Sequence, residues 1–539
     1  MSPVDVQLRG CSNALTLMER IALLRSGTHV EITEPNADFQ PASERANRWQ
    51  LQYPFSDPDV FAQRLATAKI TEQEFLAVTG DDEARLGTSH APWAQVIDHA
   101  YALQETSSIR FNRLASNSDT AQVHFLRCVE PIVDHFVSRL RTGAKEMMQE
   151  FDTVPFDADS VHQLFVPSLI NTYQRMLTPT LILELNLARL RNDLTGESSS
   201  ERFDYFIGRL RERVLSKQIL TEYPVLAREL VGRADQWLAS SLEFLRRLSR
   251  DWPIIQTKFS PPSDAGILYE LQTQLGDRHR DGRSVQIARF GSGFSIVYKP
   301  RSLQVDGHFQ ELLEWFNRKT GDLAFQGLTI LDRGTHGWSE FVPGEDCLSV
   351  DGVRRFYERQ GGYLALFYIL NGSDIHCENV IASGEHPFVV DLEVLFHAPI
   401  AEPRPGLNDV AVEGLARSVL RCGLLPMPAR FGESAEPLDR SGLAAPLSQL
   451  SPFALLHAVE SGTDEMQLVR KRSPIRASAH WPKVAGQPVE AVDVDAVERG
   501  FRRVCEVILS NRGELLDVDG PIARFRGDKV RIVLRYTRS

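Results

Sequence analysis

The residues of this chain best suited to chemistry lie in one stretch, NGSDIHCENVIASGEHPFVVDLEVLF at positions 371–396. There Asp374, His376, Asn379, Asp391 and Glu393 interrupt otherwise apolar sequence. A carboxylate withdrawn from water needs a charged, hydrogen-bonded or metal partner, so the grouping calls for a cation. Phosphoryl transfer is the chemistry that would use such a set. It needs hard oxygen ligands for magnesium, a cation for the phosphates and a carboxylate beside the attacking hydroxyl. Asn379 and Asp391 suit the metal, Asp374 the hydroxyl, and Lys299, at the end of FSIVYK, the phosphates.

Two expected hairpins must position these groups. SVQIARF and FSIVYK are short β-rich runs flanking Gly291-Ser292-Gly293, and the two-residue period puts Lys299 on the face of Val297 and Ser295. VIAS and FVVDLEVLF form the second hairpin around Gly384-Glu385-His386-Pro387. Asp391 and Glu393 fall on one face of the latter strand, so both carboxylates point toward one cation. HFQELLEWFNRKTG and GVRRFYERQGGYLALFYILNG have helical spacing, whereas LAFQGLTILDRGTHGWSEFVPG reads as strand and loop. From about residue 45 to 253 apolar residues recur at helical intervals, and FSPPSDAG at 259–266 breaks the pattern. The Pro-, Gly- and Ser-rich stretch 399–490 reads as irregular with short helices. The expected organisation is α+β: a mainly helical region over 1–260, a β-rich unit over 261–348, and a unit over 349–539 that carries the polar hairpin.

The totals exclude other classes. Apolar residues make up 42% and charged residues 24% of the 539, the composition of a folded protein. A net charge of −11 offers no global attraction to nucleic acid. Cys11, Cys128, Cys347, Cys377, Cys422 and Cys505 show neither CxxC pairs nor zinc-finger spacing. With no signal-like N-terminus and no apolar run longer than YLALFYIL at 363–370, the reading is a cytoplasmic protein without stable membrane insertion.

Asp374 and Asn379 stand five apart, the offset between the Asp and Asn of the protein-kinase loop H-R-D-x-x-x-x-N, and Asp391 follows after a hairpin as the magnesium-binding Asp does there. Singly, each has a bland reading: a solvated strand-end lysine, a hydrogen-bonding loop histidine, an exposed D-x-E strand face. Together, in this order and behind a β-hairpin, they favour phosphoryl transfer. The sequence lacks G-x-G-x-x-G, H-R-D and D-F-G, so an ordinary protein kinase is not indicated.

The blocks YPVLAREL (223–230), GDRHRDGRSV (276–285), IVYKPRSLQVDGHF (296–309), WSEFVPG (338–344), GSDIHCENVIASGEHPFVVDLEVLF (372–396) and RIVLRYT (531–537) together resemble the dehydratase domain of LanM, the class II lanthipeptide synthetases. The resemblance runs from about residue 45 to the end. It implies a two-lobed, lipid-kinase-like core that uses ATP and magnesium to phosphorylate Ser and Thr of a leader-bearing precursor peptide. Elimination of the phosphate then gives dehydroalanine or dehydrobutyrine. Carried over residue by residue, Lys299 binds phosphate, Asp374 is the base or orienting carboxylate, and His376 is its neighbour. Asn379 and Asp391 ligate magnesium, and Glu393 is a further active-site carboxylate. Asp277 and His279 fall in a phosphate-binding loop, and Arg531 and Thr537 serve elimination.

A full-length LanM adds a zinc-dependent cyclase, for which this chain has no paired Cys plus Cys-His set. Ring closure is therefore not expected of it, and a truncated product, a fragment or one half of a split enzyme working with a separate cyclase are the corresponding expectations. Two rivals stand beside the dehydratase: a kinase-like phosphotransferase without elimination, and a non-catalytic peptide-binding scaffold.

Overall fold

The computed structural model describes residues 14–26, 42–52, 55–80, 91–103, 120–261, 264–279, 282–397, 414–415, 417–430, 437–444, 449–475, 479–489 and 491–532. The chain divides into two compact units. One comprises Met1–Asp152, Ala158–Arg246 and Ala458–Leu468, and the other Thr153–Asp157, Arg247–His457 and Val469–Ser539. Helices and antiparallel sheets coexist, as α+β requires.

The first unit is helical because its apolar residues recur every three or four positions. In the helix His162–Leu190, Phe165, Leu169, Tyr173, Leu177, Leu181 and Leu185 form one buried stripe. Helix Ser199–Arg209 begins at a capping box in which Ser198 and Glu201 satisfy each other's backbone N–H groups. The segment 458–468 is fastened there by Asp464, whose fully buried carboxylate takes Arg202 Nε at 2.6 Å and Ser199 Oγ at 2.8 Å. Helix Pro224–Phe259 ends just before the paired prolines, where the sequence predicts the break.

In the second unit, strands β1 (Leu268–His279), β2 (Arg283–Phe290), β3 (Ser295–Lys299), β4 (Ile330–Asp332) and β5 (Gly337–Glu340) form an antiparallel sheet in the order β1-β2-β3-β5-β4. The expected hairpin joins β2 to β3, with Gly293 at φ +89°, a conformation that suits glycine. Buried residues alternate along β2, and Ile296 and Tyr298 are buried on β3. The rings of Tyr298 and Trp338 lie 5.1 Å apart, and Phe290 packs on Trp252 at 4.8 Å. Strand alternation therefore turns Lys299 to the opposite face of the sheet.

Helices Gln304–Thr320 and Val350–Ile369 share a core in which Phe309, Tyr363 and Phe367 stack. Helix Val494–Ser510 packs backbone to backbone on Val350–Ile369. A Cβ on Gly361 would meet the Val497 carbonyl at 1.9 Å, and one on Gly500 the Glu358 carbonyl at 1.7 Å. No helix among the described residues is long and apolar enough to cross a membrane.

Three expectations are corrected. The second hairpin is present as β6 (Val380–Ser383) and β7 (His386–Val389), but β7 ends at Val389, so Asp391 lies past the strand and Glu393 begins a turn, rather than the two sharing one strand face. The residues around Asp277 and His279, expected as a loop, continue β1 to its pairing of His279 with Arg283. Within 399–490 the described residues are largely irregular and include the short helix Val419–Cys422, as expected, but they also form two short strand pairs that were not, Leu455–Val459 with Gln467–Lys471 and Lys483–Val484 with Gln487–Pro488.

Candidate functional site

The candidate site lies within the second unit, around the β6–β7 hairpin. Its turn is fixed from the helix Val350–Ile369. There Arg355 Nε reaches Glu385 Oε2 at 2.7 Å, and the 5% exposed Arg359 reaches the Glu385 carbonyl at 2.8 Å. At the open end the Val390 N–H donates to the Asn379 carbonyl at 2.9 Å, so Asn379 enters the hairpin where Asp391 leaves it.

The preceding loop is pinned by backbone bonds on several sides. Ser373 N–H donates to Val394, Ile375 to Cys422, and Cys377 to Arg440. The fully buried Ile375 anchors its centre. Asp374 adopts φ +62°, a left-handed conformation that costs a non-glycine residue energy and persists where the surroundings impose it. Its carbonyl accepts from Asn379 Nδ2 at 2.9 Å, and His376 Nε2 stands 4.0 Å from its Oδ1. Partial burial, with Asp391 and Glu393 close by, raises the Asp374 carboxyl above its ordinary value against the pull of His376 and Arg531.

Lys299 comes to this hairpin from the sheet. It is 6% exposed, and its ammonium donates to the Val390 carbonyl and lies 3.4 Å from Asp306 Oδ1. Asp306, 2% exposed, opens the helix Gln304–Thr320. The intervening loop is held by Asp332, which accepts from Ser302 Oγ at 2.9 Å and Leu303 N–H at 2.6 Å. That grip aims Arg301 into the pocket. Its Nη1 lies 2.7 Å from Asp306 Oδ2, its Nη2 2.7 Å from Asp391 Oδ1, and its Nε 3.4 Å from Glu393 Oε2. Arg531 closes the row, with Nη1 2.7 Å from Glu393 Oε1 and its N–H 2.6 Å from the Glu393 carbonyl.

Burial works to raise Asp391, but Arg301 and Lys299 outweigh it and hold the carboxyl below its ordinary value. Arg301 is likewise desolvated, and Asp306 and Asp391 keep it charged. Two neighbouring carboxyls are thus driven apart, Asp391 ionised and Asp374 reluctant to ionise, a separation met both at sites of proton transfer and in structural ion-pair networks.

The structure therefore gathers Lys299, Asp374, His376, Asn379, Asp391, Glu393 and Arg531. Asp277 and His279 sit apart on β1. One step beyond the Gln286–Tyr298 pair, Lys299 lines up with Val285, which pairs with Leu275, so both lie toward the same end of the sheet as Lys299, two strands or about 10 Å across. Thr537 lies outside the described residues. Arg301 and Asp306 are the members that sequence reasoning missed. Both stand in the block IVYKPRSLQVDGHF, but an arginine after a proline and an acid in a helix's first turn have ordinary surface readings. Arg301 is a cation that the sequence reading did not count, and its guanidinium pairs with Asp391 and Glu393.

No group of three or more His, Cys, Asp or Glu among the described residues forms a metal cage. Magnesium bound with phosphates does not require one, since it takes one or two protein oxygens and completes its shell from phosphate and water. Asn379 and Asp391, tied together at the hairpin mouth, fit that role. Asn379 turns its amide nitrogen to the Asp374 carbonyl, so its oxygen is the atom that could meet a cation, and a carboxylate paired with Arg301 has lone pairs left for one.

Two comparisons bear on this chain. A protein of Lactococcus lactis subsp. lactis described as "Lacticin 481/lactococcin biosynthesis protein LcnDR2" is 26% identical over 286 residues, covering 50% of this chain. The match takes in 31% of that relative's length. The family model described as "Domain of unknown function (DUF4135)" matches residues 223–539, which include every element of the candidate site. By that match, over more than half of its length, the chain belongs to the DUF4135 family.

Proposed function

We propose that this protein is a lanthipeptide dehydratase, which phosphorylates Ser and Thr side chains of a leader-bearing precursor peptide with ATP and then eliminates the phosphate. One observation carries the reading. Lys299 donates to the carbonyl of the residue before Asp391, so a strand-borne cation and the Asp374, Asn379 and Asp391 hairpin face one pocket. The name of the Lactococcus relative adds support for work on a lantibiotic peptide.

Asp374 takes the proton of the attacking hydroxyl as that oxygen bonds to the γ-phosphorus and the bond to the departing ADP breaks. Its raised carboxyl makes it a stronger base than an ordinary aspartate. Lys299 and Arg301 offset negative charge on the phosphate oxygens. Asn379 and Asp391 would hold magnesium, which when bound neutralises those oxygens further. In the second step a base of the pocket removes the α-proton, the Cα–Cβ double bond forms, and the Cβ–O bond breaks with its electron pair leaving on phosphate. Arg531 stabilises that departing charge, because its guanidinium, set beside Glu393, brings a fixed positive charge to the pocket.

The test is incubation of the chain with ATP, magnesium and a Ser/Thr-bearing precursor peptide, read by mass spectrometry. Loss of water per modified residue is expected, abolished in Lys299→Ala and Asp374→Ala. Stable phosphate addition would point to a phosphotransferase without elimination, and peptide binding without ATP turnover to a scaffold.

A further inference from the structure

Arg531 belongs to a segment that is fixed by contacts away from the pocket. After the short turn Pro521–Phe525, the Phe525 ring lies 5.8 Å from that of His308 and 5.0 Å from that of Phe396. Three residues on, Asp528 places Oδ2 2.8 Å from His308 Nδ1, and three further on Arg531 reaches Glu393. The Asp528 side chain is 1% exposed, and its other oxygen has no hydrogen-bond partner. A carboxylate buried on one imidazole is expensive and calls for a reason. His308 stands two residues after Asp306, so the opening of one helix holds Lys299 and Arg301 by one residue and the Arg531 segment by another.

We propose that His308 and Asp528 are positioning residues for Arg531 that serve the elimination step and leave phosphorylation to the rest of the pocket. The proposal rests on the dehydratase reading above. Phosphorylation depends on Lys299, Asp374, Asn379 and Asp391, none of which Asp528 touches. Elimination needs positive charge on the phosphate as the Cβ–O bond breaks, and a guanidinium displaced by about 1 Å loses much of that effect.

Two variants separate the hydrogen bond from the packing. His308→Phe keeps a ring against Phe525 and deletes the donor, whereas His308→Asn keeps a donor near the place of Nδ1 and deletes the ring. In the peptide assay His308→Phe is expected to raise the ratio of phosphorylated to dehydrated product on the order of ten-fold or more. His308→Asn should stay near the original ratio. Hydrogen exchange of the Arg531 amide, which bonds to the Glu393 carbonyl, should quicken in His308→Phe alone. An unchanged product ratio in His308→Phe, or an equal fall in both steps, overturns the positioning role and leaves the dehydratase reading standing. If the unmodified chain neither phosphorylates nor dehydrates peptide, the dehydratase reading falls. The Arg531 exchange rate then still decides whether His308 holds the segment.

Discussion

Arg301 Nη2 lies 2.7 Å from Asp391 Oδ1, so the carboxylate proposed above as a magnesium ligand is already paired with a cation of the protein. The same guanidinium holds Asp306 and approaches Glu393, and these contacts use its planar fork. A lysine offers one point charge and cannot span three carboxylates.

Arg301→Ala is therefore expected to destabilise the chain by about 3 kcal/mol, the usual consequence of stripping one partner from a partly buried ion network. Arg301→Lys should fall between this variant and the unmodified chain. Urea unfolding at neutral pH measures both. An Arg301→Ala midpoint within error of the unmodified one would show that the network contributes nothing to stability.

Asp374 predicts the acid limb of the activity profile. As the base of the proposed reaction it must be ionised, and its carboxyl is raised by partial burial and by Asp391 and Glu393, so on that proposal activity should fall with decreasing pH at a value above the ordinary aspartate figure of about 3.9. Removing a negative neighbour eases ionisation. In Glu393→Gln the limb should move to lower pH whatever happens to the maximal rate. A limb that stays put, or moves toward neutrality, would remove Asp374 from the role of base.

What the sequence made legible, and what it did not, follows from the range of the forces involved. The β2–β3 hairpin and the face of Lys299 follow from a two-residue period and a Gly-Ser-Gly turn, both local, and the structure places them so. The helix end at Phe259 is written in the prolines behind it. Period two misled at Asp391 and Glu393, because β7 stops at Val389 where Lys299 takes the Val390 carbonyl, a contact 91 residues distant in sequence. Arg301 was invisible for the same reason, its decisive partners lying in another block. Strand β1 was hidden by its polar, glycine-containing end and by irregularities in its register.

Gly361 and Gly500 predict a packing failure. Each sits where a methyl group would strike a backbone carbonyl of the facing helix at under 2 Å, and backbone cannot rotate away as a side chain can. Gly361→Ala and Gly500→Ala should each destabilise the chain by about 3 kcal/mol, toward the upper end for overpacked cores, despite alanine's better helix propensity. Thermal or urea denaturation decides it, and a neutral or stabilised alanine variant would mean that the two helices do not approach this closely.

Asp251 predicts an acid-sensitive contribution to stability remote from the pocket carboxylates. Its fully buried carboxylate accepts from His336 Nε2 at 2.7 Å, Trp338 Nε1 at 2.9 Å and Arg333 Nε at 3.0 Å, tying the end of helix Pro224–Phe259 to the sheet. Burial alone would raise it, but the bonds to His336 and Trp338 and the charges of His336 and Arg333 prevail and lower it from 3.8 to about 2. A carboxyl lowered in the folded state stabilises fully above its unfolded value, and that stabilisation fades as pH falls from about 4 toward about 2. The difference is worth about 2 kcal/mol at neutral pH. Asp251→Asn should accordingly be less stable than the unmodified chain at pH 7 by at least that amount. The gap should narrow steadily with acidification, measured by urea unfolding down to the lowest pH at which both fold. A gap that remains constant below about pH 4 would mean that Asp251 acts there through packing rather than through its charge.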